Sequence, residues 1–203
     1  MARQDPTRPR GRPPREDLRD HLLTHTLGVL LRDGLEGFSM SSVARSAQAS
    51  KETLYRHFGD KSGLLAAALE HVGQRVGPLL LEGLDTTDTR RARLERLAHN
   101  YLGGLLEPAS LALQRIAFAD QDRGLGARFA TCFTDAARDV VTRELAALGA
   151  REPALDAELF LGMVRGLHHE RALLGVVPRD HRARQKALVA HAVEVFEAHL
   201  PAA

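Results

Sequence analysis

An all-α fold in two parts is the expectation this 203-residue sequence sets up, and three observations carry it. Apolar residues recur at helical spacing along the chain, and no window sustains the period-two alternation of a half-buried strand. Glycine and proline fall between those periodic stretches, where helices would stop. No unit repeats at a fixed period, so a solenoid is not expected.

The composition suits such a fold. With 44% hydrophobic and 27% charged residues, the chain can bury one good core and carry a small second module, as a soluble globular protein does. Cys132 is the sole cysteine and cannot form an internal disulfide, and the start of the chain lacks the apolar run of a secretory signal. The longest apolar stretches, such as LLAAAL at 64–69, fall far short of the roughly 20 residues that span a bilayer. A cytoplasmic location without a membrane partner is therefore expected. The net charge is only +2, but it is unevenly spread: residues 1–61 hold 11 Lys+Arg against 8 Asp+Glu, and residues 62–203 hold 17 against 18. Of three lysines in the chain, Lys51 and Lys61 bracket one short stretch.

The elements follow in order. Residues 1–15, MARQDPTRPRGRPPR, carry four prolines and five arginines with no apolar face, which predicts a flexible basic arm. Leu22, Leu23, Leu27, Val29 and Leu30 then form a stripe that predicts a helix over 17–33, with Gly34 as its left-handed cap. Ser39 caps a short helix at 40–47 and Ser50 another at 50–57, because a serine oxygen satisfies the free amides of a helix start. Gly59 ends the latter, and Asp60 opens a long fourth helix through Leu64, Leu65, Ala68, Leu69, Val72, Val76 and Leu79 to Leu81. Beyond the loop at 83–89, further helices are predicted at 89–106, 108–119, 124–148, 154–174 and 181–199. The domains are then the arm at 1–15, a three-helix domain at 16–62 and a second helical domain at 63–203.

Two short helices joined by a tight turn and held by a longer one form a helix-turn-helix, whose second helix presents side chains to the major groove of double-stranded DNA. In SKETLYRHFGDKSGLL, residues 50–65, Ser50, Lys51, Glu52 and Thr53 occupy the first turn of that second helix, within reach of base edges. Tyr55 and Arg56 lie a turn further on and can hold the phosphate backbone. Ser39 and His57 complete the candidate set. Phe58 is expected to plug the core. Lys61 in the first turn of the fourth helix opposes the helix dipole, which a phosphate contact would explain. In the arm, Arg10-Gly11-Arg12-Pro13 has the core of an AT-hook, in which Arg10 and Arg12 enter a narrow minor groove.

FSMSSVARSAQASKETLYRHFGDKSGLL, 38–65, resembles the DNA-binding signature of the TetR/AcrR family of bacterial repressors. The likeness is carried by Val43-Ala44, Ala47, Ser50, Thr53-Leu54-Tyr55, His57-Phe58, Lys61 and Leu64-Leu65. One departure stands out: the turn usually has a glycine, and here it has Gln48-Ala49. FLGMVRGLHHERALLG, 160–175, is similar to the penultimate helix of the AefR-like branch. The resemblance implies a ligand-responsive regulator, most often a repressor, that binds a palindromic operator as a homodimer and leaves it when a small-molecule effector occupies the second domain. It also implies a dimer seam in the last two helices, for which Leu159, Met163, Gly166, Leu167, Leu174, Leu188, Ala192, Val195 and Phe196 supply faces. Candidates for an effector pocket are Tyr101, Phe118, Phe129, Phe133, Met163, Arg165 and His168, chosen as aromatic, flexible or polar residues of the middle helices.

Two other readings compete. His21 and His25 stand four apart, the spacing of helical zinc sites, which with His168 and His169 would suit a helical metalloenzyme; no glutamate lies between them to act as base and no third ligand has set spacing. No metal, cofactor or catalytic residue is therefore expected, and Cys132, between Phe129 and Phe133, is read as a packed thiol. The other reading is a small-molecule-binding protein whose helix-turn-helix is degenerate at Gln48.

Overall fold

The computed structural model describes residues 15–120, 124–176 and 181–201, and among these the regular structure is helical throughout. Arg10 and Arg12 lie outside the described residues. The chain divides into two compact units, one ending at Leu64 and the other beginning at Leu65.

In the first unit, α1 (Arg15–Gly37) buries Leu22, Leu23, Val29 and Leu30. Gly34 breaks its regular geometry at φ 65°, ψ −171°, so the predicted end at 33 marks a kink and the helical turns run on to Gly37. Helices α2 (Met40–Ser46) and α3 (Lys51–Phe58) pack behind it. They bury Met40, Val43, Ala44 and Leu54 together with Phe38. Phe38 is the aromatic plug of this unit. Phe58, expected in that role, is only half-buried, with the Arg19 guanidinium 5.3 Å above its ring, because the end of α3 leaves one face of the ring at the surface.

The predicted long fourth helix is two helices, α4 (Lys61–Gly73) and α5 (Val76–Leu81). The reason is Pro78: an unbroken helix would need an amide hydrogen there to reach the Gln74 carbonyl, and its ring would collide with that carbonyl, whereas the first turn of a new helix tolerates it. Gly73 also passes so close to Cys132 that a Cβ would stand 2.8 Å from that residue's Cβ and carbonyl oxygen.

In the second unit, α6 (Arg90–Leu106), α7 (Pro108–Ala119), α8 (Leu125–Phe129), α9 (Ala136–Ala147), α10 (Pro153–Leu173) and α11 (His181–His199) follow. The predicted helix 124–148 is interrupted by a π-helical turn at Ala130–Asp135, which inserts a residue into the ladder. One apolar cluster unites α6, α9, α10 and α11: Leu94, Leu97 and Leu102 meet Val140, Val141 and Leu145, and Phe160 and Val164 meet Val189 and Val193. Phe160 and Phe196 pack with ring centres 5.0 Å apart. The end of α11 is tied down by His199 Nε2 at 2.8 Å from the buried Asp156 Oδ1, while Arg90 donates to the Pro201 carbonyl at 2.6 Å.

Candidate nucleic-acid interface

Serines set the two short helices of the first unit. Ser39 Oγ accepts from the Ser42 amide at 3.0 Å and the Ser39 amide donates to Ser42 Oγ at 2.9 Å, a reciprocal box in which serine replaces the usual glutamate. Ser50 Oγ accepts from the Thr53 amide at 3.0 Å and lies 2.9 Å from the Thr53 hydroxyl. Between the helices the Ala49 amide donates to the Ala44 carbonyl at 2.9 Å and the Gln48 amide to the Arg45 carbonyl at 3.3 Å. This is a complete Schellman motif, and Gln48 holds its left-handed position at φ 51°. The missing glycine therefore leaves the turn geometry intact.

With Leu54 fully buried, the opposite stripe of α3 faces solvent: Lys51, Glu52, Tyr55 and Arg56 are exposed, Tyr55 by 52% of its surface, and Thr53 and His57 flank them half-buried. These are the spacings i, i+1, i+4 and i+5, one face of a helix. That face carries two cations, one anion and a phenol, a donor-rich surface suited to phosphates and base edges. Ser39 and Ser50 are exposed at the starts of their helices. Lys61 is half-buried, its Nζ 3.4 Å from the Leu35 carbonyl and 5.4 Å from the Phe38 ring centre. Gly63 makes room for this corner, since any Cβ there would collide with the Phe58 carbonyl oxygen.

His21 and His25 serve the same motif. His21 Nε2 donates to the Ala47 carbonyl at 3.0 Å, His25 Nδ1 lies 2.9 Å from Ser46 Oγ, and the ring centres are 4.5 Å apart. The two imidazoles thus clip the end of α2 and the turn onto α1. Among the described residues no group of three or more His, Cys, Asp or Glu could hold a metal ion.

In the second unit, Tyr101 is buried on α6 and its hydroxyl accepts from Arg165 Nη2 of α10 at 2.9 Å. Arg165 directly precedes Gly166, whose φ of 49° and ψ of −169° kink α10. After the kink, His169 is buried, with Nε2 2.7 Å from Gln114 Oε1 of α7, and Arg115 donates to the Leu173 and Ala172 carbonyls at 2.8 Å each. Burial, helped by the Arg165 charge, pushes the His169 imidazole down from the usual 6.5 to about 4. Of the other pocket candidates, Met163 packs half-buried against the core, Phe129 and Phe133 stack with ring centres 4.4 Å apart across the π turn, His168 is half-buried, and Phe118 is exposed by 63%. Gln114 and His169 were absent from the candidate set. Helical spacing from Phe160, Leu161 and Val164 points to position 168, and it is the kink at Gly166 that brings His169 to the buried side instead.

Residues 22–68 match the family model described as bacterial regulatory proteins, tetR family, and residues 92–199 match AefR-like transcriptional repressor, C-terminal domain. The chain belongs to the TetR family of bacterial regulatory proteins, with a C-terminal domain of the AefR-like kind. Among curated relatives, it is 53% identical over 49 residues to the DNA-binding transcriptional repressor TetR of Mycobacteroides abscessus, covering 24% of this chain and 26% of that one. It is 41% identical over 58 residues to the regulator BetI of Paraburkholderia phytofirmans, covering 29% and 30%. The chain thus spans under a third of the length of these curated relatives. Among solved structures it is similar to a TetR transcriptional regulator from Agrobacterium tumefaciens (29% identity, TM-score 0.69, 90% of this chain and 94% of that one). It is also similar to the flavonoid-responsive regulator FrrA (25%, 0.70, 93% and 100%). A TetR-family structure from Mesorhizobium loti, at 23% identity, shows the fold alone, with a TM-score of 0.79 over 92% of this chain and 98% of that one.

Proposed function

We propose that this regulator is a repressor that binds a palindromic operator in double-stranded DNA as a homodimer and is released by a small-molecule effector. The observation that carries the proposal is the solvent-facing stripe of α3, Lys51, Glu52, Tyr55 and Arg56, on a helix capped by Ser50 and anchored by Leu54. In a two-fold dimer, two such helices enter successive major grooves about 34–36 Å apart. The effector lowers DNA affinity by favouring a dimer in which that spacing is lost, to the extent that it binds that state more tightly. Flavonoid response, named for one structural neighbour, supports a small-molecule input to the second domain. Tyr101, Phe129, Phe133, Met163, Arg165 and His168 are the proposed effector contacts, with Phe118 at the surface. The site of action is the cytoplasm, where operator DNA lies, and no catalytic step is assigned. Among the described residues no helix is long and apolar enough to cross a membrane.

The test is footprinting with the full-length protein on the DNA flanking its own coding region. Wild type should protect a palindrome, and Lys51→Ala and Tyr55→Ala should each weaken binding by about tenfold or more while helix content is kept. Unchanged affinity in both variants would remove α3 as the recognition helix.

A further inference from the structure

Buried Tyr101 and half-buried Arg165 form a polar pair whose charge is unbalanced. Arg165 Nη2 donates to the Tyr101 hydroxyl, but its Nε is buried with no hydrogen-bond partner. Among the described residues no acidic side chain pairs with this guanidinium, unlike Arg93, whose half-buried guanidinium meets Glu144. The neighbouring His169 is occupied by Gln114 and supplies no negative charge. A half-buried cation with no acidic partner is only partly hydrated, so it attracts an arriving anion more strongly than a fully exposed one does.

The donors left over define the anion. Because Tyr101 accepts from the guanidinium, its own O–H hydrogen is free to point elsewhere, and Arg165 Nε–H is unused. The unused guanidinium N–H groups, the Tyr101 hydroxyl and a single positive charge match a carboxylate, with its one negative charge and planar pair of acceptor oxygens, better than a phosphate, which brings nearly twice that charge. Around the pair the unit is apolar: Leu102, Phe160, Leu161 and Val164 belong to the same buried cluster as Tyr101. We propose that Arg165 and Tyr101 are the polar end of the effector site and that the effector is an organic carboxylate with an apolar body. This rests on the proposed role of the second domain as the effector-binding part.

The test titrates full-length protein, without DNA, with straight-chain carboxylates from acetate to decanoate, each beside its primary amide, by calorimetry and thermal shift. At least one acid should bind about 10- to 100-fold more tightly than its amide. In the Arg165→Met/Tyr101→Phe double variant neither polar partner is stranded, so the unliganded melting temperature should stay within a few degrees of wild type while the preference for the acid disappears. An acid series no tighter than the amides, a double variant that keeps the preference, or one that no longer folds would each overturn the proposal. Operator binding is followed separately by fluorescence anisotropy. Acid binding without operator binding would sink only the repressor role, and operator binding without acid preference only the carboxylate site.

Discussion

His169 Nε2 and Gln114 Oε1 lie 2.7 Å apart between two buried side chains, joining the far half of α10 to α7. Arg165 on the same helix and Gln114 from α7 face the imidazole, and burial with the Arg165 charge holds it neutral down to about 4. As pH falls from 6.5 toward 4 the unfolded chain takes up a proton that the folded chain refuses, so acid favours unfolding; above 6.5 the group contributes no pH dependence. The melting temperature of wild type should therefore drop by more between pH 7 and pH 4.5 than that of His169→Gln, a difference of a few degrees by calorimetry. Parallel curves would show that His169 titrates normally.

Gln48 sits at φ 51° in the turn between α2 and α3, a region that costs a residue with a Cβ more than it costs glycine. Gln48→Gly should raise the unfolding free energy by up to about 1 kcal/mol, measured by denaturant melts, with the Ala49 to Ala44 hydrogen bond retained. A loss of stability would mean that the glutamine side chain makes a contact the turn needs.

Much of the first unit was legible because its signals are local. Ser39 and Ser50 cap the helices that begin beside them, and Gln48 takes the left-handed turn position, since each depends on chemistry within three residues. What was missed is one local signal and several effects of distant packing. Pro78 splits the expected fourth helix, and the π turn at 130–135 passes against Gly73, a contact between segments nearly sixty positions apart. His169 rather than His168 is buried because Gly166 turns the end of α10 onto α7, which no helical wheel drawn through residue 166 would show. Similarly, Ala192 and Phe196 have the pattern of a seam but fill the core of their own unit.

That last distinction sharpens the dimer test. Leu159, Leu167, Leu174 and Val195 remain exposed on α10, on α11 and at the α10 C-cap, Leu167 by 72% and Leu174 by 73%, whereas Phe196 is 2% exposed. Leu167→Glu and Val195→Glu should fold normally and sediment as monomers, because a charge buried unpaired in a two-fold seam costs several kcal/mol. Phe196→Glu should instead unfold the unit. A wild-type-like dimer for both surface variants would place the interface elsewhere.

The arm can be tested through salt alone. If Arg10 and Arg12 each neutralise a phosphate or lie along the minor groove, a chain starting at Asp17 loses two such contacts per subunit, four in a dimer, together with any made by Arg3, Arg8 and Arg15. Each contact contributes a slope near 0.9 in log affinity against log salt, so truncation should lower the slope by about 3 to 4 units. The operator should still be found, since Lys51, Tyr55 and Arg56 stay in place on α3. Repeating the titration on operators with A·T-rich and G·C-rich flanks separates two roles. A narrow A·T minor groove has enhanced negative potential, so full-length protein should prefer those flanks and the truncated chain should not. Equal slopes for the two proteins would leave the arm without a part in binding. A changed slope with no flank preference would keep its charge as an affinity device and remove the minor-groove role of Arg10-Gly11-Arg12-Pro13.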